Sequence, residues 1–496
     1  MATTTVQTHQ PSSRELPPGP RRLPYLGNLF SLRRDPLNFF RQLHQTYGDM
    51  ATIYLGPNPA VVLFRPEYVR YVLVERPQNF SNRALLRREG ENAFASEGLL
   101  TIDGEQHRQQ RRAVQPAFHK KRVEGYAEII QQYTQELLKT WQVGQTIDFS
   151  RAMQEVTLRV VSKCLFGVDL STQLAPLSSA FDGVLGNSTS MIEDLLNIRI
   201  DNPITGYGRR MAAIRQLDML VYTLIAQRRA SGSQQDDVLS MLLAAPSGNE
   251  AEPQLNEKQI HDHILTFLAA GHETTAIALS WTCYLLARYP EARAKLQEEL
   301  RSVLTDREPK LDDLAKLPYL DWVINEAMRL YPPAWMQLRF AVEECELGGV
   351  RLPAGTVVIL SQWVMHRAPE FWEDAETFKP ERWDPANGQK IAQGVYFPFG
   401  AGPRTCIGMP LAQMEARLIL ASILQHYTPQ PVAGYVPELQ PGITLRPKHH
   451  LRVTLLPASA DEAPEWKRLF GSEARAAQEG ANRQGCRRAL FRLIGV

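Results

Sequence analysis

FPFGAGPRTCIG, residues 397–408, sets three glycines, two prolines and an arginine around a single cysteine. A disulfide needs no such loop, and neither does a cysteine packed in a core. The helix-forming run PLAQMEARLILASILQHY follows at once, and Pro410 suits a first helical turn. Cys406 therefore sits just ahead of a helix N-terminus, where free N–H groups and partial positive charge favour an anion. A thiol placed there is expected to have a lowered pKa and to ionise. Gly400, Gly402 and Gly408 let the backbone turn tightly and approach a flat object closely. Arg404, two residues before the thiol, can reach an acidic group on that object. A flat, acidic object that takes a thiolate is haem. On the cysteine alone a second reading stays open, an inert buried thiol beside a glycine-rich turn.

The chain has 496 residues, enough for two or three ordinary domains or one large one. Hydrophobic residues make up 44% and charged residues 22%, an ordinary balance for a globular protein. A net charge of +2 carries no global nucleic-acid signature, so any docking surface must be a local patch. The five cysteines (Cys164, Cys283, Cys345, Cys406 and Cys486) are scattered without a C-x-x-C, which argues against a disulfide framework or zinc ribbon and suits a reducing cytoplasm. No basic segment followed by an apolar run opens the chain, and no stretch is apolar enough to span a membrane.

Residues 1–16 read as a disordered N-terminus, and 459–496, ending in RRALFRLIGV, as a frayed or loosely docked helical tail of unknown role. A membrane-surface or partner helix is the alternative for that tail. Between them, ATIYLGPNPAVVLF (51–64) reads as two strands around a turn, and most of 66–330 has helical periodicity. A β-branched strand lies in RLPAGTVVILSQWVM, and short strands near TLRP and LRVTLLP follow the last helix. The fold expected is mainly α with a small β-rich lobe. No βαβ alternation, Walker loop, G-x-G-x-x-G or G-x-S-x-G is present.

FGAGPRTCIG (399–408) resembles the haem-ligand signature of the cytochrome P450 family, F-x-x-G-x-R-x-C-x-G, at every fixed position. Three further segments resemble family motifs in order: AAGHETT (269–275), NEAMRLYPPAW with Glu326 and Arg329, and FKPERW with Arg382. Weaker likeness runs from about 17 to 457, the span taken as one haem domain ending at 458. The resemblance implies the cytochrome P450 fold and haem b, with Cys406 as axial thiolate. Phe399 would pack beside the thiolate and Arg404 would pair with a propionate. It implies that Glu326, Arg329 and Arg382 form a buried structural triad. GEQHRQQRRAVQPAF (104–118) resembles the family's W-x-x-x-R segment, with His107 where the tryptophan belongs. Arg111, His107 and Arg339 are then further propionate partners.

Each companion motif also has a plainer reading. E-x-x-R places Glu326 and Arg329 on one helix face, where a surface pair contributes only about 0.2–0.5 kcal/mol. Gly271 and the two threonines in KQIHDHILTFLAAGHETTAIALSWTCYLLARYP weaken a helix, which reads as a mere kink or as a widened groove for O2. In the second case Glu273 and Thr274 are the catalytic pair that relays protons. A zinc helix H-E-x-x-H is excluded, because Ala276 stands where the second histidine belongs. His261 and His263, two apart, are read as surface residues. Arg108, Arg112, Lys120, Lys121 and Arg122 form a basic cluster, either a solvated face or a docking patch for an acidic electron donor.

The function expected is a haem-thiolate monooxygenase acting on an apolar, lipid-like substrate: a fatty acid, terpenoid or carotenoid. PPAW and the residues after it have a short likeness to bacterial carotenoid hydroxylases. The pocket would be lined by Phe94, residues near 185–200, Phe267, Ala270, Ala334 to Leu338 (including Trp335 and Met336) and Ile443. The chain lacks a flavin signature and has too few cysteines for an iron–sulfur domain, so electrons would come from a separate ferredoxin or flavodoxin with its reductase. Two alternatives stay open: a peroxide-using or peroxide-rearranging haem-thiolate enzyme, which the Glu273–Thr274 pair speaks against, and a non-catalytic haem sensor, for which only the short tail offers an output.

Overall fold

The structure is a computed structural model that describes residues 16–82, 94–185, 199–232, 235, 237–244, 255–388 and 391–458. Residues 1–15 of the expected disordered terminus, the tail after 458 and most of the pocket segment near 185–200 fall outside those residues, while Leu16 packs against the core of the β-rich lobe. The longer described helices are α1 (Pro36–Tyr47), α2 (Gly104–Val114), α3 (Ala127–Leu138), α4 (Phe149–Phe166), α5 (Leu174–Leu185), α6 (Gly206–Ser231), α7 (Glu257–Arg288), α8 (Pro290–Leu304), α9 (Pro318–Leu330) and α10 (Met409–His426). No helix among the described residues is long and apolar enough to cross a membrane.

The helical body is built around α7. Its 32 residues span roughly 48 Å. Asn256 starts it with a reciprocal cap: its side chain accepts from Gln259 N at 2.8 Å, and Gln259 Oε1 accepts from Asn256 N at 3.0 Å. From Ile260 onward nearly every residue is buried, the pattern of a helix packed on all sides. Burial all round also overturns the surface reading of two histidines. His261 is 4% exposed and lies between Asp218 of α6 and Asp262, with its ring stacked 4.3 Å from Tyr222. His263 is fully buried and stacks on Phe267, and burial lowers its imidazole pKa to about 4.

Gly271 has a cause other than a kink. The helix is continuous from 257 to 288, and a Cβ at 271 would meet Val161 Cγ2 of α4 at 2.7 Å. The missing side chain lets the two helices close, and Thr157 Oγ1 donates to the carbonyl of His272 at 2.9 Å across the same contact.

The β-rich lobe holds a second core. β1 (Met50–Leu55) and β2 (Asn58–Leu63) form a hairpin, and β2 pairs in parallel with β8 (Val357–Leu360), from Ala60↔Val357 to Leu63↔Leu360. β5 (Gln337–Ala341) and β3 (Phe80–Ser81) complete the order β1-β2-β8-β5-β3. A second sheet, β4-β12-β9, joins Thr146–Asp148, Arg452–Pro457 and Tyr427–Pro431, and two small hairpins are Cys345–Leu347 with Val350–Leu352 (β6, β7) and Leu439–Pro441 with Leu445–Pro447 (β10, β11). The expected architecture, mainly α with a small β-rich lobe, is what these elements make. A large cavity lies where the two cores face each other.

Candidate active site

The cysteine loop joins the lobe to α10. Cys406 N donates to Phe399 O at 2.9 Å, closing the loop on itself. Gly400 and Gly402 have φ of 71° and 65°, the left-handed region that suits glycine, and a Cβ at 402 would strike the Leu73 carbonyl. Gly408 has ordinary φ, and a Cβ there would meet only Cys406 Sγ, at 4.0 Å, with open space beyond. The thiol faces the cavity, which accounts for its accessible surface although dense protein surrounds it. The helix terminus acts as expected, since the N–H groups of Gly408 and Met409 reach the sulfur and Arg111 adds positive charge. Burial nevertheless outweighs them and raises the thiol pKa above its ordinary value, against the lowered value expected from the local sequence.

The cavity measures about 2190 Å³. Phe94, His107, Arg111, Phe267, Ala270, Thr274, Ala334, Arg339, Phe399, Arg404 and Cys406 all border it. Of the arginines that border it, Arg111, Arg339 and Arg404 share the lining with Cys406 and His107. Arg339 is 8% exposed and donates to Leu338 O and Gln337 Oε1, yet no carboxylate among the described residues lies within ion-pair distance. Burial and the neighbouring Arg404 lower its pKa to about 10. Arg111 donates to Thr405 O at 2.9 Å beside the cysteine. His107 is buried and held near pKa 4 by desolvation and by Arg404 and Arg111, so it is neutral and keeps one N–H to donate. Arg404 borders the same cavity and also pairs with Asp103 and with the carbonyls of Leu99 and Ile102, tying the loop before α2 to the cysteine loop.

These groups fit haem b. The under-neutralised arginines and a neutral imidazole suit two carboxylates, the Gly408 gap leaves room for a flat ring beside the sulfur, and Cys406 offers a soft ligand.

The sequence model of the family described as Cytochrome P450 matches residues 17–452. The chain belongs to the cytochrome P450 family. This P450 is 34% identical over 440 residues to cyclooctatin synthase of Streptomyces melanosporofaciens, covering 88% of this chain and 93% of that one. It is 36% identical over 420 residues to cyclooctat-9-en-7-ol 5-monooxygenase of the same organism, covering 84% and 90%. With pentalenene oxygenase of Streptomyces avermitilis it shares 35% identity over 415 residues, covering 82% and 90%. The P450 is thus a haem-thiolate monooxygenase that holds haem b through a cysteine thiolate, takes an apolar substrate and requires a redox partner.

Behind the cysteine loop the P450 buries an ionic cluster. Glu326 and Arg329 of α9 are fully buried and joined at 2.8 Å, and Arg382 Nε donates to Glu326 Oε1 at 2.9 Å. Glu326 also accepts from Lys379 N and Trp383 Nε1, each at 3.0 Å. Arg329 donates to the carbonyls of His366, Ala375 and Thr377, and its guanidinium lies 5.0 Å from the Trp372 ring centre. The plain surface-pair reading of E-x-x-R does not describe this geometry.

Glu273 and Thr274 both border the cavity but diverge. Thr274 Oγ1 donates to Ala270 O at 2.7 Å, the back-bond expected of a helical threonine. Glu273 is 5% exposed and accepts from Thr444 Oγ1 at 2.9 Å, and burial raises its carboxyl pKa against the pull of Arg446 and Thr444. The pocket residues also divide. Trp335 touches the cavity, but its ring is 2% exposed in the lobe's core, 5.8 Å from Phe40, and its indole N–H donates to Gly442 O at 2.9 Å. Trp281 of α7 likewise donates to Leu445 O at 3.0 Å. Ile443, between those two anchors, is 61% exposed at the cavity rim.

Sequence reasoning missed Asp103, Thr444 and Arg446. Asp103 opens the GEQH helix and could have been suspected as a cap, but its pairing with Arg404 spans 301 residues. In the basic cluster, Arg108 pairs with Glu105, Lys120 lies 3.8 Å from Glu124, and Arg122 donates to Met241 Sδ. Arg112 and Lys121 are the exposed cations of that face without an ion pair among the described residues.

Proposed function

We propose that this P450 oxygenates a terpenoid-like hydrocarbon, with electrons from a separate ferredoxin or flavodoxin and its reductase, in the reducing cytoplasm. The observation that carries this reading is the wall near Thr274: Phe94, Phe267, Ala270 and Ala334 border the cavity and offer a substrate apolar contact without a charged partner. The relatives named for cyclooctat-9-en-7-ol and pentalenene support it. Residues 17–458 act as one haem domain in this reading.

When bound, haem b supplies an iron that ionises the coordinating thiol and activates O2. The chain's own residues do the rest. Arg111, Arg339 and the N–H of His107 hold the carboxylates, while Arg404, engaged by Asp103, fixes the loop beside them. The apolar wall binds and orients the substrate and keeps water from it. One oxygen atom enters the substrate and the other leaves as water, which consumes two electrons and two protons. Glu273 takes up protons at its carboxyl, and the hydroxyl of Thr274 passes them on inside the cavity.

The test supplies NADPH, a ferredoxin and its reductase with cyclic terpene hydrocarbons, fatty acids and carotenoids. The expected result is a mono-oxygenated terpene carrying one atom from labelled O2. Turnover of fatty acids alone, or turnover with peroxide alone, would replace this reading. Arg112 and Lys121 should make donor-limited turnover fall as salt rises, because exposed charges are screened over about 10 Å at 0.1 M. Salt-independent turnover would place donor docking elsewhere.

Thr274→Ala should retain haem and substrate binding while most reducing equivalents end as peroxide or water rather than product. The ratio of product formed to NADPH consumed reads this directly. An unchanged ratio would move the relay to another hydroxyl.

A further inference from the structure

The carboxyl of Glu273 is served from outside its own helix. Thr444 Oγ1 donates to its Oε1 at 2.9 Å, and Arg446 Nη1 of β11 lies 3.7 Å from the same oxygen. That same nitrogen closes an ion pair on Asp182 of α5. One guanidinium nitrogen therefore faces two carboxylates in different surroundings: the Asp182 side chain is 54% exposed and that of Glu273 is 7% exposed.

The two flanks of this contact are built differently. β11 is fixed, since Leu445 accepts from Trp281 Nε1 and its N–H donates to Pro333 O at 2.9 Å. α5 carries Val184 on the cavity wall, two residues from Asp182, so an occupant seated against Val184 touches the helix that holds one of the competitors. The charged groups within electrostatic reach of Glu273 among the described residues are Arg446 and Asp182. His272, its neighbour in sequence, packs against Phe181 of α5 and is kept neutral by burial, with a pKa of about 4.

We propose that Arg446 is a positioning residue shared between Asp182 and Glu273, so that the pairing made by α5 sets the protonation of the acid on α7. While Asp182 holds Arg446, its own charge also disfavours a second carboxylate, and Glu273 keeps its proton. When Asp182 withdraws, Arg446 turns to Glu273, which ionises and gives its proton to solvent. Burial acts on Glu273 in both arrangements, while Arg446 lowers its pKa and Asp182 raises it, the signs this competition requires. The inference rests on the reading of Glu273 as the proton-relay acid.

The test follows the carboxyl itself. In the holoprotein, the infrared C=O band of protonated Glu273 is assigned by its loss in Glu273→Gln, then titrated with pH in two further variants. Asp182→Asn should move the titration to lower pH, and Arg446→Gln should move it to higher pH. Arg446→Lys, which keeps the charge, should stay on the wild-type side of Arg446→Gln. A merely structural tie would move both variants the same way or neither. Shifts of the same sign, or no shift in Asp182→Asn, overturn the proposal. Asp182 is exposed, so that variant decides the matter even where Arg446→Gln fails to fold. The relay reading fails separately, through unchanged coupling of NADPH to product in Glu273→Gln, and leaves the band shifts standing.

Discussion

Cys406→Ser should remove the strongly red-shifted Soret band of the reduced CO complex completely, leaving either a spectrum without thiolate character or protein that loses haem on gel filtration. The sulfur is the one thiol among the described residues that line the cavity, and a serine hydroxyl does not replace it as an ionised ligand. The variant should still fold. Cys406 N bonds to Phe399 O through the backbone, which serine preserves, and the side chain faces open space rather than packed core. Far-ultraviolet dichroism and melting of the haem-free protein should match wild type. A retained red-shifted band would mean that another residue ligates the iron, and the assignment of this loop would fall.

The second large effect is on folding. Arg382→Ala removes one of the two guanidinium partners of Glu326, a carboxylate with no accessible surface. Arg329 still neutralises Glu326, so the loss is of the buried charge-assisted bonds that Arg382 makes, each contributing roughly 1.5–3 kcal/mol. Against a total stability of about 5–15 kcal/mol, that is enough to depress the yield of folded holoprotein severely. The lost bonds also include those from Arg382 to the carbonyls of Glu373 and Asp374, so the segment leading to the cysteine loop loosens with it. Haem retention and thermal midpoint should fall together. Arg382→Lys should recover little, because lysine lacks the planar fork that serves Glu326 and the Glu373 carbonyl at once. Normal haem loading in Arg382→Ala would show that the cluster is dispensable.

Features carried by local spacing were legible in the sequence. The central helix declared itself through a long apolar run, the cysteine loop through its glycines, and the facing of Glu326 and Arg329 through an interval of three. Relations made across distant segments were not legible. No local pattern pairs β2 with β8 or brings Trp383 onto Glu326, and Arg382 is placed on Glu326 only through the family resemblance of FKPERW. His261 and His263 were misread because an interval of two separates them on an ordinary amphipathic helix, whereas α7 is buried all round. Gly271 looked like a defect in its own helix, and its cause was Val161 on another. The Cys406 thiol shows the same limit in energetic form. Sequence displays the helix terminus that lowers its pKa, but not the burial that outweighs it.

The two indole anchors, Trp335 on Gly442 and Trp281 on Leu445, grip main-chain carbonyls on either side of Ile443 and Thr444. A segment held by its backbone does not depend on its side chains for its path. Ile443 is therefore free to vary at little cost to folding, although it stands at the rim of the chamber where a guest is received. Selection can redraw the guest list at this position while the scaffold stays the same, so a change of chemistry here needs no compensating change elsewhere.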